Sequence, residues 1–520
     1  MGPSPLNVQL GRRGFLAATI AGGFALAGCS SRPPAPPAAP SGGLSAAIAA
    51  AEAARPHTGR AVTAALTPQA ATVDLGGPTL RTLTYGATIP APVIRANVGD
   101  ELAVTVTNRL DHPTSVHWHG IALRNDMDGA PPATPNIDAG KEFTYRFSVP
   151  HSGTYWAHPH VELDADYGLY VPVIVDDPRE AGGYDAEWIV VLDDWTDGIG
   201  KTPQQIFDEL RKNGMGGMPG MGDMPGMGDM PGMGGTPSAG GMAPMGGMYT
   251  SALLGGDAGD VNYPYYLING RIPGAPTTFT AKPGQRIRLR IINAGSDTAF
   301  RVALAGHTMT VTHTDGFAVI PTEVDALLVG MGERYDVLVT AADGVFPLVA
   351  LAEGKNAVAR ALLSTGTGSP PDPGFQPTEL TKRVGTVAMF TATAPVDLGA
   401  RTPDVNLEAV LAGDMMQYNW TINGAAFDKT QPLQINQGQR AVLTFTNNTE
   451  MWHPMHLHGH TFQIIKPDGS LGARKDTAVV LPKQKLAVAL VADNPGVWMM
   501  HCHNTYHQAA GMMTSLNYRP

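Results

Sequence analysis

Cysteine is nearly absent. The 520-residue chain has two, so no disulfide framework holds it together and stability rests on packed cores. Charged residues are scarce at 15%, and the 35 Lys and Arg are outnumbered by 45 Asp and Glu, for a formal net charge of -10. That balance argues against a nucleic-acid binder, which would normally carry a basic face, and is compatible with cationic substrates. After the first thirty residues no apolar run is long enough to cross a bilayer as a helix. Glycine (62) and proline (44) are abundant instead, which favours short strands and turns over long helices. The length suggests about three domains of ordinary size.

The two cysteines lie in different surroundings. Arg12 and Arg13 precede an apolar run, Ala17 to Ala27, that is too short to span a membrane, and Leu26-Ala27-Gly28-Cys29 follows. Paired arginines before such a run resemble a twin-arginine export signal. The Leu-Ala-Gly-Cys sequence resembles a lipobox, in which Cys29 is acylated and becomes the mature N-terminus. The expectation is a signal at 1–29, a Pro/Ala-rich tether at 30–59, and a protein exported and lipid-anchored at the outer face of the cytoplasmic membrane or in the periplasm.

Beyond the tether, period-two alternation recurs between Gly, Pro, Asn and Asp punctuation, the mark of β-sandwiches. Leu102, Val104 and Val106 alternate with polar neighbours, and Ile287, Leu289 and Ile291 alternate with arginines. A weak repeat accompanies them. Asn97-Val98-Gly99-Asp100, Lys282-Pro283-Gly284-Gln285 and Asn436-Gln437-Gly438-Gln439 each precede a strand that ends at Asn108, Asn293 or Asn447. An all-β chain of three related sandwiches follows, placed at 60–178, 186–370 and 380–520. One segment belongs to none of them. Residues 215–248 carry ten methionines among Gly, Pro and Asp, a composition that cannot pack a core.

Ten of the 16 histidines fall into four clusters: His117-Trp118-His119, His158-Pro159-His160, His453-Pro454-Met455-His456-Leu457-His458, and His501-Cys502-His503 with His507 nearby. They contain four His-x-His pairs. Residues two apart on a strand share a face, so each pair offers two imidazoles to one side. Eight nitrogens are too many for one metal and suit three coppers. The same geometry sends Cys502 to the opposite face, where a thiolate could join His453, His507 and a weak Met512 thioether, the ligand set of a blue-copper centre. Cys502 would then pass electrons through its backbone to His501 and His503. A lone His-x-His is ordinarily a structural histidine or a zinc ligand, but four pairs with a Cys/His/Met set are not, and zinc would leave the thioether without use.

These residues resemble the multicopper oxidase family, which includes laccases, bilirubin oxidases and bacterial cuprous oxidases. The signatures are HWHG at 117–120, WAHPH at 156–160, HPMHLHGH at 453–460 and HCHNTYHQAAGM at 501–512. The resemblance spans roughly residues 60 to 520 and implies three cupredoxin-like Greek-key sandwiches with four coppers. By position it assigns type 1 copper to His453, Cys502, His507 and Met512, and type 2 copper to His117 and His456. It assigns the type 3 pair to His119, His158 and His503 and to His160, His458 and His501. With its export signal and lipobox, the chain is most similar to the mycobacterial lipoproteins of that family associated with copper resistance.

The resemblance also implies a reaction: four one-electron oxidations of a reducing substrate, Cu(I) and also Fe(II) or phenols, coupled to reduction of O2 to water. It places Asp128 near the three-copper cluster as a proton relay, though Asp126-Met127-Asp128-Gly129 is equally natural as a turn. Gln508 stands where many relatives carry an acid, and Gln cannot deliver a proton. Soft thioethers prefer Cu(I), so Met218, Met221, Met224, Met227, Met230 and Met233 are candidates to collect it, and Met451 and Glu450 to hold it beside type 1 copper. A laccase-like phenol oxidase and a non-enzymatic copper store are the alternatives. The store has no need of a type 1 centre.

Overall fold

In the computed structural model, residues 43–180, 182–214 and 249–519 are described. Cys29 and the leader, the first part of the tether, and the Met-rich segment from Met218 to Met233 lie outside them. Strands dominate. Each of three β-sandwiches is built from a sheet that begins the same way. Ala61–Leu66 pairs parallel with Glu101–Thr107, Ala186–Trp195 with Arg286–Asn293, and Val405–Asp414 with Arg440–Asn447. The turn before the second strand of each pair closes on the same bond, from Asp100 N to Asn97 O, Gln285 N to Lys282 O and Gln439 N to Asn436 O. Its glycine has φ near +82°, a conformation that favours glycine: +83° at Gly99, +81° at Gly284 and +82° at Gly438.

The asparagine that ends each of these strands is a staple. Asn108 Nδ2 donates to the carbonyls of His112 and Ile137, Asn293 Nδ2 to those of Thr298 and Val329, and Asn447 Nδ2 to those of Met451 and Val480. Each Oδ1 accepts the amide two residues on. A buried loop satisfied three times by one side-chain device accounts for the faint sequence repeat.

The first sandwich faces its three-stranded sheet against one containing Gly153–His158 and His117–His119, and the third faces its six-stranded sheet against one containing Val497–Cys502 and His453–Leu457. These strands carry the histidine clusters or lead directly into them. The middle sandwich has two six-stranded sheets. Its Arg288 and Arg290, which alternate with the apolar residues of their strand, are buried rather than solvated, at 3% and 1% exposure. They bond Asp336, and Arg290 also bonds Thr154 of the first sandwich. Alternation there marks an inter-sandwich face.

Two boundaries differ from the sequence reading. Gly43–Ala53, inside the expected tether, is a helix. Its Ala47 is buried, Glu52 accepts from the Ser148 amide and Arg55 donates to the Ala122 carbonyl, so this part of the segment is docked. Val384–Gly385, expected in the third sandwich, pairs parallel with Ala326 and Leu327 of the second, where Leu380 also packs.

Candidate metal centre

Strand register brings the first two clusters together: His117 lies opposite His158, and His119 opposite Trp156. In the third sandwich, His456 lies opposite His501 and Met455 opposite Cys502. The facing edges of the two sandwiches place eight buried imidazoles in one region. They sort into groups whose ligand atoms all lie within 4.8 Å of one another. His119, His158 and His503 form one; His160, His458 and His501 another; His117 and His456, with His119 again, a third. The members of the pairs 158/160, 456/458 and 501/503 therefore reach different groups, and His119, which belongs to two, lets the pair 117/119 tie them as well.

The rings are oriented by their far nitrogens. Nδ1–H of His117 donates to Asp128 O at 2.9 Å, that of His158 to Pro159 O at 2.9 Å, that of His456 to Asp476 O at 3.0 Å and that of His501 to Cys502 O at 2.9 Å. His458 Nδ1 meets the Asp128 carboxylate at 2.9 Å. Each leaves Nε2 as a free lone pair, the arrangement metal-binding histidines adopt. His119 is reversed. Its Nε2 meets Asp476 Oδ1 at 3.2 Å and Thr477 Oγ1 at 3.1 Å, leaving Nδ1 free.

The free nitrogens converge. His458 Nε2 and His160 Nε2 lie 3.1 and 3.3 Å from His501 Nε2, and His456 Nε2 lies 3.4 Å from His117 Nε2. His119 Nδ1, His158 Nε2 and His503 Nε2 are buried with no hydrogen-bond partner at all. Buried polar atoms are mostly paired, and three unpartnered ring nitrogens within 4.8 Å of one another mark a place for a shared ligand. Burial drives the pKa of His158, His458, His501 and His503 well below the ordinary value and that of His160 down to about 3. All are neutral at pH 7, as metal ligation demands.

A second set lies on the other side of Val497–Cys502. Cys502 Sγ is 3.6 Å from Nδ1 of both His453 and His507, and the two Nδ1 atoms are 3.1 Å apart. His507 sits on the short helix Thr505–Ala509, whose N-cap Asn504 accepts from the Tyr506 and His507 amides. Met512 is fully buried, and its carbonyl accepts from Cys502 N at 3.1 Å. A cysteine sulfur between two imidazoles, with Met512 tied through its backbone to Cys502 and His507, fits copper. Trp420 packs on both rings, with centroids 4.3 Å from His507 and 5.2 Å from His453.

Three multicopper oxidase family models match the chain, over residues 68–180, 186–368 and 401–520. It belongs to the multicopper oxidase family. Multicopper oxidases are oxidoreductases acting with oxygen through four coppers, and the converging donors fit that complement. This oxidase is 66% identical to multicopper oxidase MmcO of Mycobacterium tuberculosis over 98% of this chain and 97% of that one. It is 28% identical to a copper resistance protein A homolog of Pseudomonas syringae pv. tomato, over 85% and 89% of the two. A crystal structure of the laccase from Botrytis aclada superposes with a TM-score of 0.69 at 26% identity, covering 90% of this chain and 89% of that one.

The structure also places residues that the motifs do not reveal. Asp260 of the middle sandwich meets His507 Nε2 at 2.9 Å and accepts from Tyr418 OH at 2.6 Å. Thr449 Oγ1 meets His453 Nε2 at 2.8 Å. Burial opposes a charge on His507, yet Asp260 outweighs it and pushes the pKa up to about 10 in the metal-free protein. Burial likewise opposes ionisation of Asp476, and the Arg334 guanidinium overcomes it, holding that carboxyl well below its usual range. Asp128 does close the turn Asn125–Met127, its N–H bonding Asn125 O, and its carboxylate is fully buried between His117 and His458. Met451 is buried near His453. Glu450 is not: it is exposed and pairs with Lys483 at 2.7 Å, because the loop turns its side chain outward.

Proposed function

We propose that His453, Cys502 and His507, with Met512 as a weak axial donor, hold type 1 copper. His117 and His456 hold type 2 copper, and the two groups of three, His119/His158/His503 and His160/His458/His501, hold the type 3 pair. When bound, the coppers take electrons singly at the type 1 site and deliver four to dioxygen at the three-copper cluster, yielding water. The chain's own part is to join and poise them. Cys502 is bonded through the backbone to His501 and His503, so the path between sites is two residues of covalent chain. Asp128 holds the Nδ1 proton of His458 and fixes the ring while charge changes on its other face.

The substrate proposed is Cu(I), in copper resistance. The observation that carries this is the enclosure of the type 1 histidines. His453 and His507 are fully buried, and their outer nitrogens are taken by Thr449 and Asp260. A phenol gives up a proton with its electron and needs a base at the ring edge, whereas a cuprous ion gives an electron alone and can do so across intervening protein. The ten methionines of 215–248 are soft donors suited to collecting that ion. Relatives named for copper resistance support the same reading. Export by the twin-arginine route with a lipid on Cys29 would put the oxidase at the cell envelope, where copper first arrives.

A laccase-like phenol oxidase is the second reading, favoured by the structural likeness to Botrytis aclada laccase. Oxygen uptake with Cu(I) and with a phenol, measured on the full chain and on a deletion of 215–248, separates the two. Cuprous oxidation should be faster and fall on deletion while phenol oxidation holds. Preferred phenol turnover with Cu(I) turnover indifferent to the deletion would favour the laccase reading.

A further inference from the structure

The middle sandwich supplies none of the proposed copper ligands, yet one of its turns enters the site. Gly332, at φ +79°, is packed so closely that an added Cβ would lie 2.8 Å from His503 Cδ2 and 3.0 Å from His119 Cε1. Two residues on, the fully buried Arg334 reaches all three sandwiches. Its Nε donates to Thr154 O of the first at 3.0 Å. Its Nη1 and Nη2 grip Asp476 of the third at 2.7 and 2.6 Å, a bidentate fork of the kind only arginine makes.

Asp476 is the hinge between this fork and the histidines. Its Oδ1 receives the Nε2–H of His119 and its carbonyl the Nδ1–H of His456. Thr477 Oγ1, bonded to Asp476 Oδ1 at 2.9 Å, lies 3.0 Å from His456 Nδ1. His119 and His456 stack face to face with centroids 3.8 Å apart. A neutral acceptor facing His119 Nε2 would hold the tautomer less firmly than a carboxylate. The fork explains one letter of the HWHG signature as well. A Cβ on Gly120 would fall 2.2 Å from Arg334 Nη2 and 2.6 Å from Asp476 Oδ2, so any larger residue breaks the pair.

The surroundings fix Arg334 in turn. Asp315 accepts the amides of Arg334, Asp476 and Thr477 on its two oxygens, and Lys475 pairs with Asp315 at 3.1 Å and Glu333 at 3.2 Å. These groups are buried and form a small set of two cationic and three carboxyl side chains beside the histidines.

We infer that Arg334 is a positioning residue of the three-copper cluster: by holding Asp476 as an aimed carboxylate it sets His119 with Nδ1 free, and through Thr477 and the Asp476 backbone it steadies His456 with Nε2 free, so the ligand-less middle sandwich controls copper occupancy at the type 3 site that His119 serves and at the type 2 site. The inference rests on the ligand assignment above. Its test is copper content per chain, with the type 2 electron paramagnetic resonance signal and the type 1 blue absorption, in the copper-loaded protein and in Arg334→Gln, Arg334→Lys and Asp476→Asn. Arg301→Gln, which breaks a comparable ion pair with Glu353 away from the site, is the control for folding.

Copper at these two sites should bind about 10–100-fold more weakly in Arg334→Gln and Asp476→Asn. The blue absorption should remain, Arg334→Lys should recover only part of the loss, and Arg301→Gln should keep every signal. A type 2 signal and copper content unchanged in Asp476→Asn, whose shape is conserved, would overturn the inference, as would full rescue by Arg334→Lys. Should Arg334→Gln fail to fold, Asp476→Asn decides alone. If the wild-type chain itself carries no type 2 signal, the ligand assignment fails instead.

Discussion

His507 and Asp260 come from different sandwiches and meet at 2.9 Å, ring Nε2 against carboxylate Oδ2. In the copper-free protein the pair raises the His507 pKa from 6.5 to about 10. A raised folded pKa contributes stability that is complete below the unfolded value and is lost as pH rises through the folded one. The copper-free protein should therefore lose thermal stability between about pH 6.5 and 10. Asp260→Asn should flatten that limb, and copper loading should abolish it by replacing the proton on Nδ1. Scanning calorimetry across this range checks all three; a copper-free wild type that gains stability toward pH 10 contradicts the pairing.

Cys502→Ser keeps the strand and the volume but removes the thiolate between the two Nδ1 atoms. The blue absorption should vanish, copper content should fall by about one ion per chain, and oxidation of any donor should stop. Copper analysis and optical spectra make the measurement. A retained three-copper cluster in this variant would separate the two sets of ligands cleanly.

Asp128 receives His458 Nδ1 in full burial. Asp128→Asn keeps the shape and loses the charge. Reoxidation of the reduced enzyme by oxygen should slow about 10–100-fold, while anaerobic bleaching of the type 1 centre by donor keeps its rate. Stopped-flow absorption resolves the two phases, and equal slowing of both would place the residue elsewhere in the cycle.

The histidine clusters were legible in the sequence because ligand spacing on a strand is local: residues two apart share a face, and the residue between them faces the other way. The Asn108, Asn293 and Asn447 repeat was legible for a similar reason, since each staple acts on its own following loop. Asp260, Asp476 and Arg334 were not. Asp260 meets a histidine 247 positions away and Asp476 one 357 positions away, so no motif joins them. A signal did exist for Arg334, an arginine after Gly332 in a turn of buried residues, but it reads as an ordinary strand start. The helix Gly43–Ala53 was hidden by the prolines before it, and Glu450 by its nearness in sequence to a ligand whose loop turns the other way.

The stoichiometry of oxygen uptake during cuprous oxidation tests the account most directly. Four coppers joined through Cys502 predict four cuprous ions oxidised for each dioxygen consumed, with no oxygen returned when catalase is added at the end. Return of oxygen on adding catalase, or uptake no faster than Cu(I) shows in buffer alone, would contradict it.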